Sequence, residues 1–403
     1  MTTADIPSGT VTTRSQAGSP QRSRAWNTWV GALVAGLTVG AFCFFWQWTH
    51  GLGVTGLSNT VTWGMYIISF MFLVGVSAGG LIVVAGSELV ESHRFEQLNR
   101  LAVVVSAAAV ATAAGSLLPD LGRPQLVWKM LVHPQLSSPL LWDMVVITAY
   151  LTIACVDLWL LTRRPVNQVA MRRMAIITLP VAVAVHSVTA WIFGLLVARP
   201  FWNSALMAPL FLSSAMVSGT AMIILVAITV RRTTSFSFRE DVIERLGRLM
   251  LWFIAADAFL LFAEILTTYT SGQPDHLAQL DELLTGKLAP VFWAEILVGV
   301  VVPFVIFSRT SWRKRTGLVV TASVLTLVGV FFKRINILLS SLFEPLVGLS
   351  PGIPGGRPGQ EFTPDAIYIP TWVEWGVLVG MAAFFFSLVT LGVRRIVLTH
   401  ADD

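Results

Sequence analysis

An all-α membrane protein with ten transmembrane helices is the fold class this sequence predicts, on three observations. Hydrophobic residues fill 55% of the 403 positions and charged residues only 12%, about half the charged share of a soluble domain. Apolar runs recur along the whole chain, many of them near the ~20 residues that cross a hydrocarbon core. The basic residues gather in short segments between alternate runs, as loops on one side of a membrane require. A water-soluble globule is excluded.

The elements follow in order. Residues 1–25 are polar, rich in Ser and Thr, and carry Arg14, Arg22 and Arg24, which reads as a disordered cytoplasmic tail. The run at 30–48 is too long for the apolar region of a cleaved leader and lacks a small-residue cleavage site, so it is the first span. Nine more follow at about 62–85, 101–118, 140–162, 175–198, 206–230, 249–270, 290–308, 317–339 and 371–393. Within a transmembrane domain at 26–403, two sets of four spans, about 62–198 and 206–339, are flanked by single helices. The arrangement suggests an internal duplication that sequence self-similarity does not establish.

Charge sets the orientation. Of the 27 basic residues, 20 fall on the side of the amino terminus, five fall opposite, and Lys333 and Arg334 lie inside the ninth span. Both termini are therefore expected in the cytoplasm. Three outside segments exceed a turn, at 119–139, 271–289 and 340–370. The last is rich in Pro and Gly and reads as ordered only by contact with neighbours or a partner subunit.

The basic residues, scattered between spans, answer to membrane topology rather than to nucleic acid. Only two cysteines occur, Cys43 and Cys155, both in apolar runs, so neither a disulfide framework nor an iron–sulfur cluster can be built from this sequence alone. Any cluster must sit on a partner. No phosphate-binding Gly-rich loop and no metal-ligand spacing is present. The small residues of GVSAGG at 75–80 suit close helix approach or, alternatively, a ligand contact.

The polar residues inside spans carry the chemistry. Among six histidines only His186, in LPVAVAVHSVTAW, lies well inside a span; it reads as a helix-to-helix hydrogen bond or as a ligand-binding or proton-exchanging group. Asp157, Asp257, Glu264 and Glu295 fall within spans, while Glu88, Asp120, Asp143 and Glu374 lie near span ends. A carboxylate charge at mid-helix costs at least about 2.5 kcal/mol. Asp257 and Glu264, seven residues apart, share a helix face about 10 Å apart along the axis, with Asp257 toward the inner half. Such a ladder, joined by Glu295 and extended by Asp157 and Glu88, has the shape of a proton pathway. The static reading pairs these carboxylates with Lys333 and Arg334. Asp120 and Arg123 in PDLGRP form either a salt-bridged turn at a helix stop or a polar clamp at the mouth of a site for a lipid-soluble ligand.

Several stretches carry a family resemblance. GLGVTGLSNTVTWGMYIISFMFLVGVSAGG at 51–80, DLGRP with SSPLLWD within 120–143, LFAEILTTYTSG at 261–272, APVFWAEILVGVVVPFVI at 289–306 and YIPTWVEWGVLVG at 368–380 resemble the NrfD/polysulfide reductase family of membrane subunits. Their order is most similar to the ten-helix branch with the hydrogenase-2 membrane subunit and the large membrane subunits of alternative complex III. The resemblance implies two four-helix bundles and a haem-free subunit of a bacterial inner-membrane respiratory complex. That subunit would bind a quinone, menaquinone or ubiquinone, near the outer face. It also implies a ferredoxin-like iron–sulfur partner on that face, with a molybdopterin or multihaem catalytic subunit. By position it places His186 at the quinone site, with Asp120 and Arg123 at the pocket mouth, and Asp257, Glu264 and Glu295 in the second bundle. A secondary transporter and a purely structural anchor are the competing classes.

One intramembrane histidine cannot supply the paired axial ligands of a b-type haem. The isolated chain in detergent is therefore expected to show no haem Soret band and no bound iron by absorption and metal analysis. Stoichiometric haem or iron without partner subunits would overturn the assignment.

Overall fold

The computed structural model describes residues 20–89, 96–163, 168–199, 201–234, 238, 240–343 and 367–398. Ten of its helices are long and apolar enough to cross a membrane, and the described residues contain no strand. They are α1 (Pro20–His50), α2 (Met65–Leu89), α3 (Glu96–Asp120), α4 (Pro139–Leu161), α5 (Gln168–Gly194), α6 (Met207–Thr233), α7 (Glu240–Thr270), α8 (Ala289–Ser308), α9 (Thr316–Leu342) and α10 (Trp372–Val397). Every predicted span is present. This is a multi-pass membrane protein.

Two boundaries move for physical reasons. α1 starts at Pro20, inside the stretch assigned to the tail, and proline at the first position of a helix loses no hydrogen bond. α7 starts nine residues before the apolar run at 249. Its first turns bury Val242 and Leu246, while Asp241 and Arg245, one turn apart, pair at 3.1 Å, which supports helix in a polar stretch. Asp257 consequently sits at mid-depth of α7 rather than toward one end. Most of the long segment at 340–370 lies outside the described residues.

α2, α3, α4 and α5 pack as a ring of four, and α6, α7, α8 and α9 form a second ring. The rings join chiefly through α2 and α6. There the small-residue stripe lets the backbones touch: a Cβ on Gly79 would lie 1.8 Å from the Ala215 carbonyl oxygen, and one on Gly219 would lie 2.2 Å from the Gly80 nitrogen. The expected flanking single helices turn out to be one unit, because α1 packs along α10 and the pair leans on α3.

The connections at 121–138, 195–206 and 271–288 lie at one end of the bundles, called here the long-loop face. Helix Pro274–Leu284 lies across the second bundle there, burying Gln279, Leu280 and Leu283. α8 is not uniform: residues Glu295–Val301 form a π-helical stretch between two α-helical ends, a feature common at functional sites.

Since α2 and α6 meet backbone to backbone, Gly79→Ala must push them apart. It should cost about 1–3 kcal/mol, read as a lower thermal-unfolding midpoint in detergent. Gly31→Ala on α1, where a Cβ meets nothing within 4 Å, should leave the midpoint unchanged or slightly raised.

Candidate functional site

The second bundle holds a row of buried polar groups that begins under the long-loop face. Ser204, in the 195–206 connection, donates to Glu264 Oε2 at 2.7 Å. A cavity of about 30 Å³, lined by Glu264, Glu295, Lys333 and Asn336 among apolar side chains, separates Glu264 from the next carboxylate and has room for one or two waters. Asn336 donates to Glu295 Oε2 at 2.7 Å, and Glu295 is the first residue of the π-helical stretch. One turn deeper, Lys333 Nζ lies 2.7 Å from both oxygens of Asp257, and Ser213 donates to Asp257 Oδ1 at 2.7 Å. A second, smaller cavity between Asp257, Glu295 and Lys333 continues one turn toward the opposite face, walled by Gly299 and Gly329. Glu295 and Lys333 line both cavities, so the row runs unbroken from the long-loop end to mid-depth.

The charge partners of the sequence reading divide. Lys333 forms a buried salt bridge with Asp257, as the static reading expects. Arg334 instead donates to Ser214 Oγ at 2.6 Å and stacks over Phe211, with its guanidinium carbon 4.2 Å from the ring centre. Its charge is within electrostatic reach of both Asp257 and Glu295.

Asp120 belongs to a different cluster. It ends α3, and its Oδ1 is buried without a hydrogen-bond partner. Gln47 on α1 donates to the neighbouring Pro119 carbonyl at 2.7 Å and accepts from Tyr66 at 2.5 Å. Glu374 at the start of α10 is wholly buried. Its carboxylate accepts from Gly56 N at 2.7 Å, from Thr371 N at 2.9 Å and from the Tyr368 hydroxyl at 2.5 Å. Burial first, and then the adjoining Glu374 carboxylate, push the Tyr368 phenol above its ordinary pKa, so it stays a donor. The cluster ties α1, α2, α3 and α10 together. Arg123, three residues further along, is exposed or nearly so, and no described hydrogen bond or ion pair joins it to Asp120; the salt-bridged turn does not form.

His186 is 1% exposed, and neither ring nitrogen has a hydrogen-bond partner. It faces the interface between the bundles, with Nε2 3.6 Å from the point where Gly75 would carry a Cβ and Arg334 within electrostatic reach. No described contact joins His186 to Asp120, and neither lines the cavities above. Asp157 stands apart as well, near the other end of the first bundle, accepting from Thr178 at 3.3 Å beside a third small cavity. The Glu88 side chain lies outside the described part of α2.

The deciding comparison is with the family profile of NrfD, polysulphide reductase, which matches residues 53–344. The chain belongs to the NrfD family. The matched segment takes in both four-helix rings and leaves out α1 and α10. Among curated relatives, a Halobacterium salinarum protein provisionally named as a dimethyl sulfoxide reductase membrane subunit is 34% identical, over 93% of this chain and 92% of its own. The Hdr-like menaquinol oxidoreductase integral membrane subunit of Archaeoglobus fulgidus is 23% identical over 86% and 87%. One of the chains of the Wolinella succinogenes polysulfide reductase is 24% identical over 70% of this chain and 94% of its own.

The NrfD-family core also shows what sequence reasoning missed. Asp143 is buried on α4 and accepts from Thr189 on α5 at 2.6 Å, as Glu295 on α8 accepts from Asn336 on α9. Trp142 and Trp293, just before these carboxylates, each donate to a carbonyl of the preceding connection, Leu136 and Leu284, at 2.8 and 3.0 Å. The signal was present as PLLWD at 139–143 against PVFWAE at 290–295. One extra residue in the second copy obscures it, and the π-helical stretch accommodates that residue. Three positions before Thr189 and Asn336 stand His186 and Lys333.

The Lys333–Asp257 bridge generates a stability prediction. Lys333→Met strands a buried carboxylate and should destabilise the chain by about 3–5 kcal/mol. Lys333→Met with Asp257→Asn removes both charges and should recover much of that loss in the same thermal-unfolding assay. Additive losses in the double variant would show that the two groups act separately.

Proposed function

We propose that this chain is the quinone- or quinol-reactive membrane subunit of a respiratory oxidoreductase complex in the bacterial cytoplasmic membrane, with both termini cytoplasmic. The long-loop face is then the outer face, where a ferredoxin-like iron–sulfur subunit exchanges electrons with the bound quinone. A molybdopterin or multihaem partner completes the assembly. Family membership and relatives named as menaquinol oxidoreductase and polysulfide reductase components support the reading. The observation that carries it is the buried polar row Glu264–Glu295–Lys333–Asp257, which offers exchangeable protons and water-sized spaces from the long-loop face to mid-depth.

A quinone takes up two electrons and two protons on reduction and releases them on oxidation. The chain's own groups must therefore hold and move protons at its oxygens. His186 has both nitrogens available, so it can donate at one and accept at the other. Asp120, with a free Oδ1 at the end of α3, suits the mouth of the site, and Arg123 offers positive charge beside it. The α-helical walls exclude water. In the second bundle, Lys333 holds Asp257 as an anion until a proton arrives, and Asn336 and Ser204 orient Glu295 and Glu264 toward the first cavity.

The test uses the assembled complex in vesicles. His186→Ala should abolish most quinol turnover with assembly intact. Asp257→Asn, which keeps shape but cannot exchange a proton, should leave quinone affinity near wild type while slowing turnover or abolishing proton translocation. A fully assembled His186→Ala complex with ordinary turnover would remove the site. Wild-type turnover and proton uptake in Asp257→Asn would remove the row.

A further inference from the structure

α6 stands between the two bundles, and one short stretch of it, SSAMVSG at 213–219, presents three hydroxyls to three different partners. Ser213 donates to Asp257 in the second bundle at 2.7 Å. Ser214 accepts from Arg334 at 2.6 Å. Ser218, one turn on from Ser214, gives its own proton to the Ala215 carbonyl at 3.2 Å, which leaves its lone pairs free to accept. The Ser218 oxygen lies 3.3 Å, and His186 Nε2 lies 3.6 Å, from the point where Gly75 would carry a Cβ. The missing side chain of Gly75 thus leaves a notch that an imidazole nitrogen and a hydroxyl share.

The groups around that notch are under-satisfied. His186 is 1% exposed and Arg334 is 0% exposed, yet both imidazole nitrogens and the Nε and Nη1 atoms of Arg334 are buried without partners. Buried polar groups in native proteins are paired with protein or with ordered water. An anion would be the alternative partner for Arg334, but Asp257 and Glu295 are already within its electrostatic reach, so its charge is balanced. Water, with donors and acceptors on every side, fits a site that needs two to four hydrogen bonds.

We propose that ordered water in the Gly75 notch, together with Ser218, Ser214 and Ser213 of α6, forms a lateral proton link between His186 in the first bundle and Asp257 in the second. The link rests on the reading of His186 as the quinone's proton partner. In the oxidising direction His186 Nε2 gives up a proton to the notch water. Each water or hydroxyl along α6 releases one proton as it receives another, and the last is delivered to the Asp257 carboxylate. The net change is a neutral His186 and a protonated Asp257, with no electron transferred. Protonation of Asp257 cancels its charge and releases Lys333 from their salt bridge, so arrival of the proton is felt by the group that lines both cavities of the second bundle.

The test is a map of the wild-type assembled complex at a resolution that shows waters, beside turnover and quinone affinity of Gly75→Ala and Ser218→Ala. Alanine at Gly75 fills the notch at near-normal contact distances, and alanine at Ser218 is smaller than serine, so both should fold. Gly86→Ala, on the same helix with open space for its Cβ, controls for the change in backbone freedom. Density is expected in the wild-type notch and is expected to vanish in Gly75→Ala. Both variants should keep wild-type quinone affinity while turnover falls by about tenfold or more, as loss of a proton-transfer step requires. A wild-type notch closed by protein atoms, or a Ser218→Ala complex that turns over at the wild-type rate, would overturn the link. His186→Ala leaves Gly75 and Ser218 in place, so failure of the quinone reading shows itself separately as normal turnover in that variant.

Discussion

Backbone-to-backbone contact between α2 and α6 is the constraint on which the rest of the structure depends. Gly79, Gly80 and Gly219 bring the two helices closer than any side chain permits, and that approach welds the two four-helix rings into one body. In a bilayer the lipid tails are as apolar as the helices, so packing of small residues, not expulsion of water, drives such a seam. Because the seam is tight, polar groups that face it from either ring, His186 from one side and Arg334 from the other, are sealed from solvent. Their unpaired atoms follow from the same close approach that holds the rings together.

The polar groups sort by ring. In the second ring they run along the bundle axis, each carboxylate held by one neutral donor, with the lysine bridging two small cavities. In the first ring they are dispersed: Asp143 with Thr189, Asp157 with Thr178, and Tyr150 with Ser77 and Ser106. The contrast stands on a shared frame. At equivalent positions one ring has Asp143, Thr189 and His186, and the other has Glu295, Asn336 and Lys333. A base that can be neutral occupies one ring where a strongly basic amine occupies the other, on the same register of helices.

The ten spans were legible because transmembrane length and hydropathy are one-dimensional signals. Asp257, Glu264 and Glu295 were legible as a group because a carboxylate in hydrocarbon requires a reason wherever it occurs. Which basic residue pairs with Asp257 was not legible, since Lys333 and Arg334 are adjacent and only the rotation of α9 sends the first toward α7 and the second toward α6. The separation of Asp120 from His186 was hidden for a similar reason: both lie in the first ring's helices, but Asp120 turns toward α1 and α10. The role of Glu374 escaped because its partners, Gly56 and Tyr368, are loop residues that hydropathy does not place. The duplication escaped because a single inserted residue shifts its register.

The pairing of α1 with α10 bears on how the chain is made. Trp29 donates to Thr390 at 3.2 Å across 361 positions of sequence, and Gly40 meets Gly380 lower on the same seam. Both rings are complete in the polypeptide by Leu342, before α10 exists, and domains generally fold as they emerge from the ribosome. α1 therefore waits in the lipid, mostly uncovered, while eight later spans assemble beside it. Its glycine face is then closed by the one helix able to fit, and Glu374, carried on that helix, clamps the α1–α2 connection through Gly56. Closure of this outer pair reports that the whole membrane core has been translated and inserted.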